Sequence, residues 1–162
     1  MLCKFIKNQI GAAAAEMALV TPLLMILMFG SFELGKYFWD NHILTKAVRD
    51  GARYASRQAF SNYDCSAETV AAGVETSTQN LVRTNTLDGS GTVRLAGWTN
   101  AMVTVDVTCD NSGNYTSIYT GMDVPVVTVD ANVPYSSLFG SLGFTDATFT
   151  LRAQSQAPVM GI

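Results

Sequence analysis

The sequence predicts an α+β fold, with a long N-terminal helix, a second helix and an antiparallel sheet of about four strands. Three observations predict it. Residues 17–32 carry no charge, small and apolar side chains recur at helical spacing between residues 36 and 60, and from Thr92 onward apolar and polar residues alternate at period two. Apolar residues make up 48% of the chain and charged ones 14%. The apolar excess is gathered near the N-terminus, so these averages conceal two unlike halves.

The first element sets the organisation. Counting back from Phe32 to Ala12 gives 21 residues whose only ionisable side chain is Glu16, and at about 1.5 Å per residue such a helix covers roughly 31 Å, enough for a hydrocarbon core of about 30 Å. Residues 12–35 therefore read as a transmembrane helix. Ahead of it, residues 1–11 are short and basic, with Lys4 and Lys7 and no acid. This favours a cytoplasmic N-terminus with the C-terminal part on the other side of the membrane, offset by Lys36, Lys46, Arg49, Arg53 and Arg57 beyond the span. Tyr37, Phe38 and Trp39 resemble an interfacial aromatic belt.

Charge is split along the chain. Residues 1–60 hold seven basic side chains against four acids, and residues 61–162 hold three against nine. An acidic soluble part argues against nucleic acid as a partner, because phosphate binding needs clustered Lys and Arg.

Residues 36–60 read as an extension of the same helix. Ile43, Ala47, Gly51 and Ala55 form one stripe beside Leu44, Val48 and Ala52, while Arg49, Asp50, Arg53 and Arg57 face the other way. The small residues Ala47, Gly51 and Ala55 permit close approach of another backbone, either the chain's own domain or a helix of a partner subunit. His42, the single histidine, has no metal or triad partners nearby and is read as a surface or interface residue.

Residues 61–162 read as a soluble α+β domain. A break at Ser61–Asp64 precedes a helix expected over 66–85, capped by Ser66 with Glu68 in its first turn. Strands follow around Thr92–Leu95, Ala101–Cys109, Val127–Val133 and Ala147–Gln154, each with one apolar face. Cys65 and Cys109 lie on the same side of the span and can form a disulfide if that side is oxidising; otherwise they are two small buried hydrophobes. Two connections stand out. Residues 110–122 are polar and long for a hairpin. Residues 134–146 carry Tyr135, Leu138, Phe139, Leu142 and Phe144, which either cover the sheet end or contact a partner.

No phosphate-binding loop, metal-spaced Cys/His set or nucleophile motif is present in the sequence, so neither catalysis, nor a metal, nor a cofactor is expected. The chemistry lies in the first helix. A carboxylate inside a bilayer costs about 3 kcal/mol and usually marks a function. Pro22 removes one backbone donor and is expected to loosen or kink the helix. Small residues Gly11–Ala15 precede the apolar run instead of following it, the inverse of an ordinary secretory signal.

Gly11 with Glu16 at the fifth place after it, followed by an apolar helix, resembles the cleavage site of type IV pilins and pseudopilins. The stretch GAAAAEMALVTPLLMILMFGSFELGKYFWDNHILTKAVRDGARYA, residues 11–55, is similar to the TadE-like segment of tight-adherence (Tad or Flp) pilus systems. That resemblance implies a leader over residues 1–11, cut by a prepilin peptidase between Gly11 and Ala12. It implies that Glu16 sets subunit register against the new Ala12 amine of a neighbour. It also implies a minor pilin or pseudopilin made in the bacterial inner membrane, with other pilins and the pilus assembly platform as partners. The alternative is an uncleaved, single-span anchor carrying a periplasmic binding or sensing module.

Overall fold

A computed structural model of the chain describes residues 9–110, 123–140 and 149–161. The chain falls into two compact units, Met1–Phe38 and Trp39–Ile162. Helix α1, Gln9–Ser56, contributes to both. In the first unit its assignment continues through Pro22 without a break. Its apolar side chains are exposed all round, among them Leu19, Leu23, Ile26 and Phe32. In water that surface has no cover, and a helix apolar on every face belongs in lipid or in a large apolar assembly. Among the described residues it is the one helix long and apolar enough to cross a membrane.

The second unit holds the rest. A two-residue hairpin pairs β1 (Tyr63–Asp64) with β2 (Thr69–Val70), followed by α2 (Ala72–Thr84). The main sheet is an antiparallel meander of β3 (Val103–Asp110), β4 (Val124–Pro134) and β5 (Thr150–Pro158), with β4 in the centre. Val105 faces Val129, Val107 faces Val127 and Val133 faces Leu151. All six are buried, whereas Thr104, Asp106, Thr108, Asn132, Arg152, Gln154 and Gln156 on the other face are exposed. Period two thus produces one dry face and one wet face.

The fold class is the expected α+β, with differences in the bounds of its elements. Thr92–Leu95 is irregular, because the Arg94 N–H donates to the Arg83 carbonyl at 3.0 Å and Gly91 is held by Thr86 Oγ1 at 3.0 Å. These contacts fold the stretch back on the end of α2, so among the described residues the main sheet has three strands, roughly the expected number. Helix α2 begins at Ala72 and not at Ser66. Asp64 Oδ1 accepts from the Ser66 N–H at 2.8 Å, the Ser66 hydroxyl at 2.6 Å and the Ala67 N–H at 3.2 Å, so Ser66 serves the hairpin turn. Those donors, the Ser66 hydroxyl first, hold the Asp64 carboxyl below its usual pKa. Glu68 sits in that turn at φ +51° instead of in a helix. The last strand continues past Gln154 to Pro158, and Phe149 is exposed where an inward side chain was expected.

Helix α1 ends at Ser56, short of the expected 60, and its four final carbonyls are all engaged. Arg53 O accepts from Ser56 Oγ, and Tyr54 O from the Arg57 N–H and Gln58 Nε2. Ala55 O accepts from the Gln58 N–H and, at 2.5 Å, from the Tyr63 hydroxyl; Ser56 O accepts from the Met160 N–H at 2.7 Å. No glycine stop is needed. At the far end of α2 the stop is local, with Asn85 in the left-handed conformation at φ 65° and its N–H on Leu81 O.

The core forms where α1 meets α2 and the sheet. Leu44, Ala47, Val48, Ala52 and Ala55 are buried, and at Gly51 an added Cβ would overlap the Val82 side chain of α2 while touching Thr78 and Val129 of β4. Val74, Thr78 and Val82 supply the α2 side at helical spacing, and the buried Thr78 hydroxyl donates to Val74 O. The small-residue stripe is therefore covered by this chain's own domain.

Two predictions follow from this packing. Gly51→Val is expected to destabilise the second unit by about 3 kcal/mol, because Val82 is fully buried and cannot swing away. Gly30→Val, with nothing near its would-be Cβ, is the matched control; melting of the full chain in detergent compares the two, and equal melting temperatures would refute the packing. The second concerns Tyr63, whose burial, with Tyr54 nearby, pushes its phenol up to about 12. The unfolded phenol ionises near pH 10, so above that pH the unfolded state binds fewer protons than the folded one and stability declines. The contribution is complete below pH 10, and about 1–2 kcal/mol should be lost between pH 10 and 12. Tyr63→Phe should flatten that part of a stability-against-pH curve, and an equally steep loss would refute the assignment.

Candidate functional site

The residues singled out in the sequence fall in three places. On the first unit, the Gly11–Ala12 peptide lies inside α1, with the helix starting at Gln9. Glu16 is exposed and makes no hydrogen bond or ion pair with another described residue. Ala12 and Glu16 are four residues apart on one helix and so lie on the same side, one turn from each other. Between Met17 and Phe32 the helix offers no counter-charge, and no acid lies in its first turn. Glu16 is thus a carboxylate at the head of an apolar rod, next to the position where a cut after Gly11 would create an amine.

Peptidases generally act on extended chain, whereas a helical peptide has its carbonyl tied into the i+4 ladder. Gly11 weakens the helix at this point, since glycine disfavours helix by about 1 kcal/mol relative to alanine, so a cut after it would meet a turn that opens more readily. Pro22 cannot donate to the carbonyl of Ala18, leaving the ladder one bond short within the apolar rod.

The second place is the disulfide. Cys65, in the β1–β2 turn, is bonded to Cys109 near the end of β3, with 5.5 Å between their Cα atoms. The bridge ties a hairpin with only two residues per strand to the edge of the main sheet. Beside it lies an open depression lined by Phe60, Tyr63, Asp64 and Asp123. Among the described residues no group of three or more His, Cys, Asp or Glu side chains is arranged to hold a metal.

The third place is the end of β4. Tyr135 is buried, and its N–H donates to the Phe149 carbonyl at 2.8 Å, so its role is cover for the sheet end. Leu138 is 43% exposed and Phe139 half-buried. Leu142 and Phe144 lie outside the described residues. Phe149, which the alternation had placed inward, is 63% exposed and joins Leu138 as surface apolar area. The strand begins at Thr150, so the period-two pattern, read from Ala147, was carried too far back across Phe149; Ala147 and Thr148 lie outside the described residues.

Sequence reasoning missed Arg94 and Trp98. Trp98 is among the largest fully buried side chains, in a loop without periodicity. Arg94 returns to α1, where its guanidinium lies 3.9 Å from Asp50 and also bonds Asn85. Neither residue sits in a repeating pattern, and the only available signal was the rarity of Trp and Arg in the second half.

A family model described as TadE-like protein matches residues 11–53. No curated protein and no solved structure matches the chain. The matched segment contains Gly11, Glu16, Pro22, Ala47 and Gly51, and ends before the disulfide and the sheet.

Removing the bridge tests its structural weight. Cys65→Ser with Cys109→Ser is expected to lower stability by about 2–4 kcal/mol, given that the bond closes a loop across a sequence separation of 44. Denaturant titration of the double variant against the oxidised parent measures this, and coincident transitions would contradict it.

Proposed function

Because residues 11–53 of this chain form a TadE-like segment, we propose that the protein is a minor pilin or pseudopilin of a Tad-type adhesive pilus. It is made as a membrane-held precursor and processed by a prepilin peptidase between Gly11 and Ala12. The observation that carries this reading is the coincidence of the matched segment with a helix whose residues 13–32 are exposed on every side, mostly apolar, and charged only at Glu16. A plain anchor needs no carboxylate there.

The mechanism follows from the charges. In the precursor Glu16 has no cation at its depth, and its desolvation opposes deep insertion. Cleavage after Gly11 creates an ammonium on Ala12. A neighbouring subunit's Glu16 pairs with it, so two charges that are costly alone in lipid become a pair, and their meeting fixes the axial register of adjacent helices. Ala47, Gly51 and Ala55 are committed to the chain's own domain, which leaves the part of α1 before Trp39 as the polymerising surface. The N-terminus is cytoplasmic and the sheet domain periplasmic, an orientation supported by the basic leader and by the disulfide, which needs an oxidising compartment. Residues 1–11 are the leader, 12–35 the span, and the helix beyond it leads into the soluble domain. Leu138 and Phe149 offer apolar contact area for a neighbouring pilus subunit.

Mass spectrometry of the N-terminus of protein from its own membranes tests the processing step. A chain beginning at Ala12 is expected, and one retaining residues 1–11 indicates a permanent anchor carrying a binding module. In the same cells Glu16→Ala should insert normally and abolish piliation, so abundant pili in that variant would sink the register role.

A further inference from the structure

Trp39 and Ile43 lie one turn apart on α1, with His42, Lys46 and Asp50 at successive turns on the adjoining row. Together with Asn85, the left-handed residue that ends α2, and Arg94 from the following loop, they line an open cavity of about 570 Å³. Every lining residue belongs to the second unit.

The cavity has a cationic end and an apolar end. Arg94 is 17% exposed and is oriented by Asp50 and by Asn85 Oδ1, which engage its two terminal nitrogens. A guanidinium has five N–H donors in a planar fork, so the two contacts position it without exhausting it. Lys46 is exposed on the same lining. Asp50 offsets one of the two positive charges, and the other leaves the cavity net positive. At the other end Trp39 is 68% exposed beside Ile43. In the sequence this ring follows directly on Tyr37 and Phe38 at the close of the apolar segment. From Trp39 to Lys46 the helix rises about 10 Å, comparable to the headgroup layer plus the reach of a lysine stem.

We infer that this cavity binds the phosphate headgroup of an anionic phospholipid from the bilayer that α1 crosses. Lys46 and Arg94 hold the phosphate, Asn85 offers its amide N–H₂ to the glycerol oxygens, and Trp39 with Ile43 covers the start of the acyl chains. The inference rests on the membrane-spanning reading of α1. In the precursor, leaving the bilayer would require giving this lipid up.

The test uses the full chain reconstituted in phosphatidylcholine nanodiscs containing a minor fraction of phosphatidylglycerol, then extracted in mild detergent for native mass spectrometry. One retained phosphatidylglycerol is expected, enriched over phosphatidylcholine by at least about fivefold, the scale set by one basic side chain at an anionic surface. Lys46→Glu, at an exposed position that tolerates the change, should remove the enrichment. Arg94→Lys, which keeps the charge and loses the fork, should reduce it. Equal retention of both lipids, or enrichment unaltered by Lys46→Glu, overturns the proposal. Displacement of the lipid by millimolar inorganic phosphate also overturns it, in favour of a free anion. Flotation with pure phosphatidylcholine vesicles is read separately: failure to float refutes the membrane span, whereas floating without lipid selectivity refutes only this site.

Discussion

The folded unit depends on one close approach. At Gly51 the backbone of α1 comes so near the Val82 side chain of α2 that a Cβ would overlap it, with Val129 of β4 in ordinary contact. The two helices are brought together there by the absence of an atom, and Leu44, Val48, Val105, Val107 and Leu151 belong to the same buried core. Ala47 and Ala55, one turn to either side of Gly51, keep the approach shallow enough for α2 to share the same face. A larger residue at the centre would separate the layers, and the apolar area that stabilises a small domain would be the first loss.

This constraint explains why one helix carries two unlike surfaces. Before Trp39 the side chains are long and apolar with no preferred direction, suited to a solvent that is itself apolar. After it, small residues gather on one face and charges on the other, suited to a helix half in a core and half in water. The change falls near the aromatic run at Tyr37–Trp39. The helical assignment is continuous through both parts, with one ladder bond missing at Pro22, so the side chains carry most of the difference between them.

Periodic signals were legible in the sequence and singular ones were not. The helix stripe and the strand alternation at Val103–Val107 and Val127–Val133 were read correctly because each burial decision is repeated several times. The end of α1 could not be read, since its final carbonyls are satisfied by Tyr63 and Met160, far along the chain, instead of by a local glycine. Ser66 has the chemistry of a helix cap but serves a turn, because Asp64 two residues earlier captures both its N–H and its hydroxyl. Thr92–Leu95 alternates like a strand, yet four residues of alternation are too few to outweigh the ties to Arg83 and Thr86. At the candidate site, Gly11 and Glu16 were visible by position alone. The cavity around Arg94 was not, because it is assembled from the ends of elements, where neither period operates.

The bond from the Met160 N–H to the Ser56 carbonyl, with Val159 buried beside it, has a consequence for the order of events in the cell. Synthesis runs from the N-terminus, so α1 is made early, but the last turn of that helix is sealed by residues made late. Until residues 159 and 160 are made, the Ser56 carbonyl lacks the Met160 N–H. The tie between the end of α1 and the segment after β5 is therefore among the last contacts of the second unit to form.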